Sequence, residues 1–267
     1  MLKSLVRHAV HAAGFEVVRR GQLREMVPLE RQARTVAELE ALYRECVFPD
    51  LPPRPGRERL LARLEGTNAS EGLWLLEHLH RSLRVPGDVC EFGVAQGATS
   101  ALLASELLEG DRRLWLFDSF EGLPKPTEKD VLIDDIFGLG SMERYQGTMS
   151  YGPEHVRGRL REVAFPEARV EIVPGFIEKS ITAGRVPCQV CFAYVDFDFY
   201  EPIKVALEFL DGVVAPGGHV MVDDYGWFSS GAQTAVHEFV AARVGRYQLI
   251  KPPDWAGHFA VLARLTP

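Results

Sequence analysis

Positive charge is in short supply in this chain, where 30 Lys and Arg face 37 Asp and Glu and leave a net charge of −7. A protein that grips nucleic acid needs clustered Lys and Arg against the phosphates, so this balance speaks against that class and favours a small-molecule partner. Long apolar runs are missing too: none approaches the roughly 20 residues that cross a bilayer, and no membrane insertion is expected. Cysteine is sparse, with Cys46, Cys90, Cys188 and Cys191 the full set of four. Cys188 and Cys191 form a C-x-x-C, but it runs into the strand-like Val190 to Val195 rather than a helix, and no second Cys/His pair completes a zinc site. Packing is the reading, nothing demands an oxidising compartment, and the cytoplasm is the expected location. Internal repeats and low-complexity tracts are absent as well.

The remaining composition is that of a globular enzyme-sized chain: 267 residues, 46% hydrophobic and 25% charged. The first 25 residues are locally basic, with Lys3, Arg7, Arg19, Arg20 and Arg24 against Glu16 and Glu25, and Leu2, Leu5, Val6 and Val10 recur at roughly helical spacing. We read this run as a solvated face. No continuous apolar core follows it, so a cleaved secretory signal is not expected. Pro49, Pro52, Pro53, Pro55 and Gly56 form a stiff break, dividing the chain into a helical appendage, 1–56, and a main domain, 57–267.

Past that break, Glu58 to Arg84 reads as one or two helices, with Leu73, Leu76, Leu79 and Leu83 at helical spacing. Seven strand candidates follow: Val89–Phe92, Arg113–Phe117, Arg169–Val173, Val190–Asp196, Gly218–Val222, Tyr247–Ile250 and His258–Ala263. Helical patterns at Ala98–Leu108, Pro153–Val163, Pro202–Leu210 and Ala232–Val244 separate most of them. Such alternation implies βαβ units and a doubly wound α/β fold with a mainly parallel sheet. The last two strands are close in sequence and should form an antiparallel hairpin at one edge. The long stretch 121–152 interrupts the alternation, and Gly138, Gly140, Gly147 and Gly152 would serve as its hinges, so we expect a lid over the substrate.

Chemistry is expected at the carboxyl ends of the parallel strands. The first ends in Glu91-Phe92-Gly93-Val94-Ala95-Gln96-Gly97. This is G-x-x-x-G, where a dinucleotide fingerprint would need G-x-G-x-x-G, and the Gly-Lys-Ser/Thr of a phosphate loop is missing. Gly93 and Gly97 would let backbone approach a ligand, and Glu91 suits the amino and sulfonium groups of S-adenosylmethionine better than a pyrophosphate. The second strand ends in Asp118 and Ser119, where an acidic side chain can accept from both ribose hydroxyls. The third leads into Gly175 and Phe176, which with Ile177 would cover adenine.

The strongest constellation is acidic. Asp196 and Asp198 follow one strand, and Asp223 and Asp224 follow its expected neighbour. Carboxylates gathered there must either hold protons or share a cation, and a hard cation such as magnesium prefers oxygen ligands. Asp196, Asp223 and Asp224 are the ligand candidates. Asp196 also borders the cofactor, and Asp198 is the candidate general base or outer partner. A metal bound to a substrate hydroxyl would lower its pKa, leading to O-methylation. His155 is a further candidate contact for a sugar hydroxyl.

Four blocks carry a resemblance: Glu91-Phe92-Gly93-Val94, Phe117-Asp118-Ser119-Phe120-Glu121-Gly122-Leu123-Pro124, Asp196-Phe197-Asp198-Phe199-Tyr200-Glu201 and Pro216 to Tyr225. Over about Arg59 to Arg264 the chain resembles the macrocin O-methyltransferase family, whose members methylate sugar hydroxyls in macrolide and aminocoumarin antibiotics. The resemblance implies a Rossmann-like, magnesium-dependent sugar O-methyltransferase using S-adenosylmethionine, with Asp196, Asp223 and Asp224 matching the metal ligands. It further implies a glycosylated small-molecule substrate, and a homodimer or higher homo-oligomer in which the N-terminal segment helps shape the acceptor pocket. The basic N-terminal extension and the lid composition depart from the family pattern. Three other functions remain open on the residues alone: methylation of a phenol or catechol, an NAD-dependent oxidoreductase, and a binding module without catalysis.

Overall fold

A computed structural model describes residues 20–182 and 185–266 of the protein. The basic run at Lys3, Arg7 and Arg19 therefore lies outside the described residues. Seven strands form one sheet: β1 Asp88–Phe92, β2 Leu114–Asp118, β3 Val170–Pro174, β4 Val190–Val195, β5 Val214–Val222, β6 Tyr247–Ile250 and β7 Ala260–Arg264. Their order is β3-β2-β1-β4-β5-β7-β6. The first five are parallel, and β7 runs antiparallel between β5 and β6, as the terminal hairpin required. The described helices are α1 Arg20–Cys46, α2 Arg57–Leu61, α3 Ala69–Ser82, α4 Ala98–Glu106, α5 Pro153–Glu162, α6 Ile177–Ser180, α7 Tyr200–Val213 and α8 Ser230–Ala241.

Parallel strands covered on both faces must be apolar on both, which is why β4 reads as the uninterrupted run Val-Cys-Phe-Ala-Tyr-Val, every residue of it buried. Cys191, Phe192 and Tyr194 join a core with Leu73, Leu76 and Leu79 of α3 and with Tyr43, Phe48 and Leu51. Val190, Ala193 and Val195 join a second core with Ile203, Leu207 and Leu210 of α7 and with Val236 of α8. Cys191 is buried in the strand, as the packing reading requires, whereas Cys188 is exposed and outside the core, so the reading holds for one cysteine of the pair; both are free. β5 starts at Val214, earlier than its Pro-Gly-Gly sequence suggests. The register shifts between Val190 and Phe192, and a side chain on Gly218 would press within 2.5 Å of the Cys191 carbonyl oxygen. The glycine pattern marks an irregularity inside the strand rather than its beginning.

A buried ion cluster ties the helices before the sheet to α4. The Arg57 guanidinium is fully buried; it donates to both oxygens of Glu106, at 2.8 and 2.7 Å, to Glu40 at 2.8 Å and to the Pro52 carbonyl at 2.8 Å. Replacing Arg57 by Met is expected to destabilise the fold by about 3 kcal/mol, because Glu40 and Glu106 would stay buried without their shared cation. Urea unfolding at pH 7 checks this, and an unchanged midpoint would contradict it.

Register then sets the site. Phe92 pairs with Val195, and Val195 with Val222, so these three strands end level with one another. The next residue in each, Gly93, Asp196 and Asp223, lies on one carboxyl rim. Two backbone bonds seal it, Asp196 N–H to the Phe92 carbonyl at 2.7 Å and Asp223 N–H to the Val195 carbonyl at 2.9 Å. The chain's direction across the sheet reverses between β1 and β4, and this is the crevice where open α/β sheets take ligands.

Candidate active site

A cavity of about 340 Å³ opens at that crevice, within the size range of small-molecule sites. Gly93, Asp118, Ser119, Phe176, Asp196, Asp198, Asp223 and Asp224 line it, as do Gly122, Leu123, Ile136, Phe137, Met149 and Tyr151 of the 121–152 insertion. Glu91, Gly97 and Gly175 lie outside its walls, and His155 sits exposed on α5. The insertion is stitched to the rest of the domain. Ile133 N–H donates to the Phe228 carbonyl at 3.0 Å, Leu132 bridges Ser229, and Tyr145 packs with Phe199 and Phe228 in a small core of its own.

Asp118 is committed to shaping the glycine turn. One of its oxygens accepts from the backbone N–H of Val94 at 2.7 Å and Ala95 at 3.0 Å, and the other from Phe120 N–H at 2.6 Å. A carboxylate offers about four lone-pair sites, so there is still room for a ribose hydroxyl. The Ser119 hydroxyl likewise serves its own turn, donating to the Gly122 carbonyl at 2.9 Å and accepting from Glu121 N–H at 3.0 Å. Glu91 is buried beneath the turn, where it accepts from Ser100. Burial pushes its carboxyl up to about 8, and the Asp118 charge adds to this against the Ser100 bond.

That shift has a consequence for stability. An unfolded Glu91 loses its proton near the ordinary carboxylate range while the folded one keeps it, so stability present at low pH is lost as pH rises towards 8. Glu91→Gln, which keeps the Ser100 acceptor, is expected to remove a decline of roughly 3 kcal/mol between pH 5 and pH 8. Thermal melts of both proteins across that range check it, and parallel slopes would contradict it.

The acidic rim is the centre of the cavity. Asp196, Asp198 and Asp224 bring carboxylate oxygens within 4.8 Å of one another. Burial raises the Asp196 and Asp224 carboxyls well above the usual range, and neighbouring carboxylates raise them further; Asp198 is pushed up to about 7, chiefly by burial. Asp223 turns partly inward, one oxygen accepting from the Tyr194 hydroxyl and the other from Asp224 N–H at 2.8 Å. No Lys, Arg or His is among the described residues lining the cavity. The donor set is all oxygen and strongly anionic, which fits a hard divalent cation.

The family model for Macrocin-O-methyltransferase (TylF) matches residues 76–259, a span that holds the glycine turn, the 121–152 insertion and the whole acidic rim. The chain belongs to the macrocin O-methyltransferase family. Among curated relatives it is 31% identical over 171 residues to the 8-demethyl-8-(2,3-dimethoxy-alpha-L-rhamnosyl)-tetracenomycin-C 4'-O-methyltransferase of Streptomyces olivaceus, covering 63% of this chain and 62% of that one. It is 30% identical over 144 residues to the demethyldecarbamoylnovobiocin O-methyltransferase of Streptomyces niveus, covering 53% of each. The chain thus spans between half and two thirds of these relatives' lengths. The O-methyltransferase NovP has the same fold, at a TM-score of 0.63 with 24% identity, over 74% of this chain and 81% of its own. So does the calicheamicin methyltransferase CalS11, at 0.58 with 20% identity, over 88% and 91%.

In this macrocin O-methyltransferase family chain, three side chains at the site went unassigned in the sequence reading. Glu71 of α3 is buried at 4% exposure and hydrogen-bonded to Asp223, its Oε1 has no partner, and burial with the Asp223 charge pushes it up to about 12. Tyr194 looked like a core strand residue, yet its hydroxyl reaches Asp223 and lies 3.3 Å from the Thr67 hydroxyl. Trp227 closes a turn onto Asp224 and lines the cavity. For Glu71 no sequence signal existed. For Trp227, an aromatic three residues beyond the Asp-Asp pair could have been one.

Proposed function

We propose that the protein is an S-adenosylmethionine-dependent O-methyltransferase that acts on a sugar hydroxyl with the help of a divalent cation, magnesium by preference. The observation that carries this reading is the meeting of Asp196, Asp198 and Asp224 at the β4 and β5 tips, in the cavity that also holds the Gly93 turn. Family membership and relatives named for methylating rhamnosyl-tetracenomycin and demethyldecarbamoylnovobiocin support the sugar.

S-adenosylmethionine would supply an electrophilic methyl group, and a cation would lower the pKa of the acceptor hydroxyl. The protein's residues do the rest. The Gly93 turn and Asp118 seat the nucleoside, with Phe176 and Ile177 against the adenine. The anionic rim would favour the positively charged sulfonium, and Asp198 is placed to take the acceptor's proton; the bound cofactor would supply the methyl group to that oxygen and leave as the neutral thioether. Phe137, Met149 and Tyr151 of the insertion shield the site from water.

Asp196 and Asp224 hold the cation in this reading, with Asp223, the residue matched by family resemblance, as third ligand. The convergence of Asp198 with the other two favours a second assignment in which Asp198 is a ligand. Calorimetric magnesium titration separates them. Asp223→Asn is expected to weaken binding more than about tenfold and Asp198→Asn by no more than about threefold, and the reverse ranking moves Asp198 into the coordination set. The reading as a whole is tested by dialysis against chelator in the presence of a glycosylated acceptor. Methyl transfer should vanish and return with magnesium; full activity of metal-free protein, or tight binding of NAD instead of S-adenosylhomocysteine, would overturn it.

A further inference from the structure

Glu71 is a buried acid that the proposed reaction leaves without a task. It stands three residues after Asn68, the N-cap of α3, so the pair has the spacing of a capping box, in which the acid folds back onto the backbone N–H of the cap. Only half of that arrangement is made. Glu71 N–H donates to the Asn68 side chain at 3.0 Å, while the Glu71 carboxyl turns away from the cap and hydrogen-bonds to Asp223. Its Oε1 has no partner, and the charges that bear on it most are of its own sign, those of Asp223, Asp196 and Asp224. Burying a carboxyl against other acids costs stability, and an apolar side chain would serve the core better. Neither the helix cap nor the packing explains why an acid stands here.

What Glu71 touches does explain it. Asp223 follows Val222 at the β5 tip, with its N–H fixed to the Val195 carbonyl at 2.9 Å. Its side chain is held from three directions. One oxygen accepts from the Tyr194 hydroxyl of β4, the other from Asp224 N–H at 2.8 Å, and Glu71 reaches it from α3. The Tyr194 hydroxyl lies in turn 3.3 Å from the hydroxyl of Thr67, the residue before the α3 cap. A hydrogen bond between two carboxyl groups contains one proton, whichever oxygen carries it, so Glu71 and Asp223 are joined through a shared hydrogen. A carboxylate gripped in this way has little rotational freedom left to lose when it binds a cation, and outer partners of this kind set metal affinity. Glu71 and Thr67 both precede residue 76, where the family match begins, so this support comes from outside the matched span.

We infer that Glu71, together with Tyr194, is a positioning residue that holds Asp223 in the orientation from which it serves the cation. Helix α3 then belongs to the metal site without lending it a ligand. The inference rests on the cation reading above.

Calorimetric magnesium titration of wild-type protein, Glu71→Met and Glu71→Gln tests it. Met fills a similar space with no hydrogen to donate, whereas the Gln amide supplies one. Glu71→Met should raise the magnesium Kd about tenfold or more, and Glu71→Gln should stay within about threefold of wild type. In a methyl-transfer assay at saturating magnesium, kcat of Glu71→Met should also stay within about threefold, while the half-saturating magnesium concentration rises in step with the Kd. Without metal, Glu71→Met should melt no lower than wild type, since it removes a buried acid from among acids. An unchanged Kd in Glu71→Met, whatever its melting point, overturns the inference and leaves the cation reading standing. Equal weakening in Glu71→Met and Glu71→Gln overturns it too, because the charge of Glu71 and not its hydrogen bond would then set the affinity. If Glu71→Met does not fold, Tyr194→Phe, which keeps the ring and removes the other side-chain donor to Asp223, should raise the Kd about fivefold, and an unchanged value overturns the inference. Wild-type protein that binds no magnesium overturns the cation reading itself, and this inference with it.

Discussion

Asp196→Asn is expected to lower kcat by about three orders of magnitude while S-adenosylhomocysteine binding changes by no more than about threefold. The substitution keeps the shape of the side chain and removes one negative charge from the point where β1, β4 and β5 end level. Asp196 N–H is fixed to the Phe92 carbonyl at 2.7 Å, so the backbone should stay where it is. The magnesium dissociation constant should rise more than about tenfold, because an amide oxygen is a far weaker partner for a hard cation than a carboxylate. A stability readout moves the other way. Burial holds the Asp196 carboxyl well above the usual range, and Asp223, Asp198, Glu91 and Asp118 add to it, so its ionisation destabilises the metal-free fold as pH rises. The metal-free variant should therefore melt above wild type at pH 8 and level with it at pH 4. A variant with wild-type turnover would remove Asp196 from the reaction, and one that melts lower at pH 8 would remove the electrostatic account of the rim.

The sheet was legible because buried parallel strands are short apolar runs punctuated by glycine and acid, and the same punctuation marks where chemistry belongs. Val190 to Val195 could be read as a strand and Asp196 as its tip without knowing any contact. What could not be read depends on packing between distant segments. Glu71 sits in the first turn of α3, where an acidic residue ordinarily faces water and favours the helix dipole. Here Gly257 passes so close that a side chain there would meet Glu71 Oε2 at 2.4 Å, which is what seals the carboxyl inside. Asp118 shows a different limit: the strand-tip acid was identifiable, but its three bonds to backbone N–H groups depend on how the Gly93 turn folds back over it. The 121–152 insertion was visible as a long interruption, whereas its attachment through Leu132 and Ser229 was not, since a single bridge leaves no periodicity.

Gly93 gives the sharpest separation between a glycine required by the ligand and one required by the fold. Its φ is +86°, and a Cβ there would stand 1.8 Å from the Asp196 carbonyl oxygen and 2.7 Å from its carbonyl carbon. Neither backbone can retreat easily, because Gly93 N–H is bonded to the Phe117 carbonyl at 2.8 Å and Asp196 N–H to Phe92. Gly93→Ala should therefore cost more than about 5 kcal/mol and lower Tm by more than about 10 °C, besides abolishing S-adenosylhomocysteine binding. Gly97→Ala is the comparison. Its φ of +79° is strained as well, but its Cβ would meet the Val156 Cα at 3.1 Å, on a helix that can shift by a few tenths of an ångström, and about 1–2 kcal/mol is expected. If Gly93→Ala melts with wild type and loses only the nucleoside, the glycine is there for the ligand, and the contact between the β1 and β4 tips is softer than the distances imply.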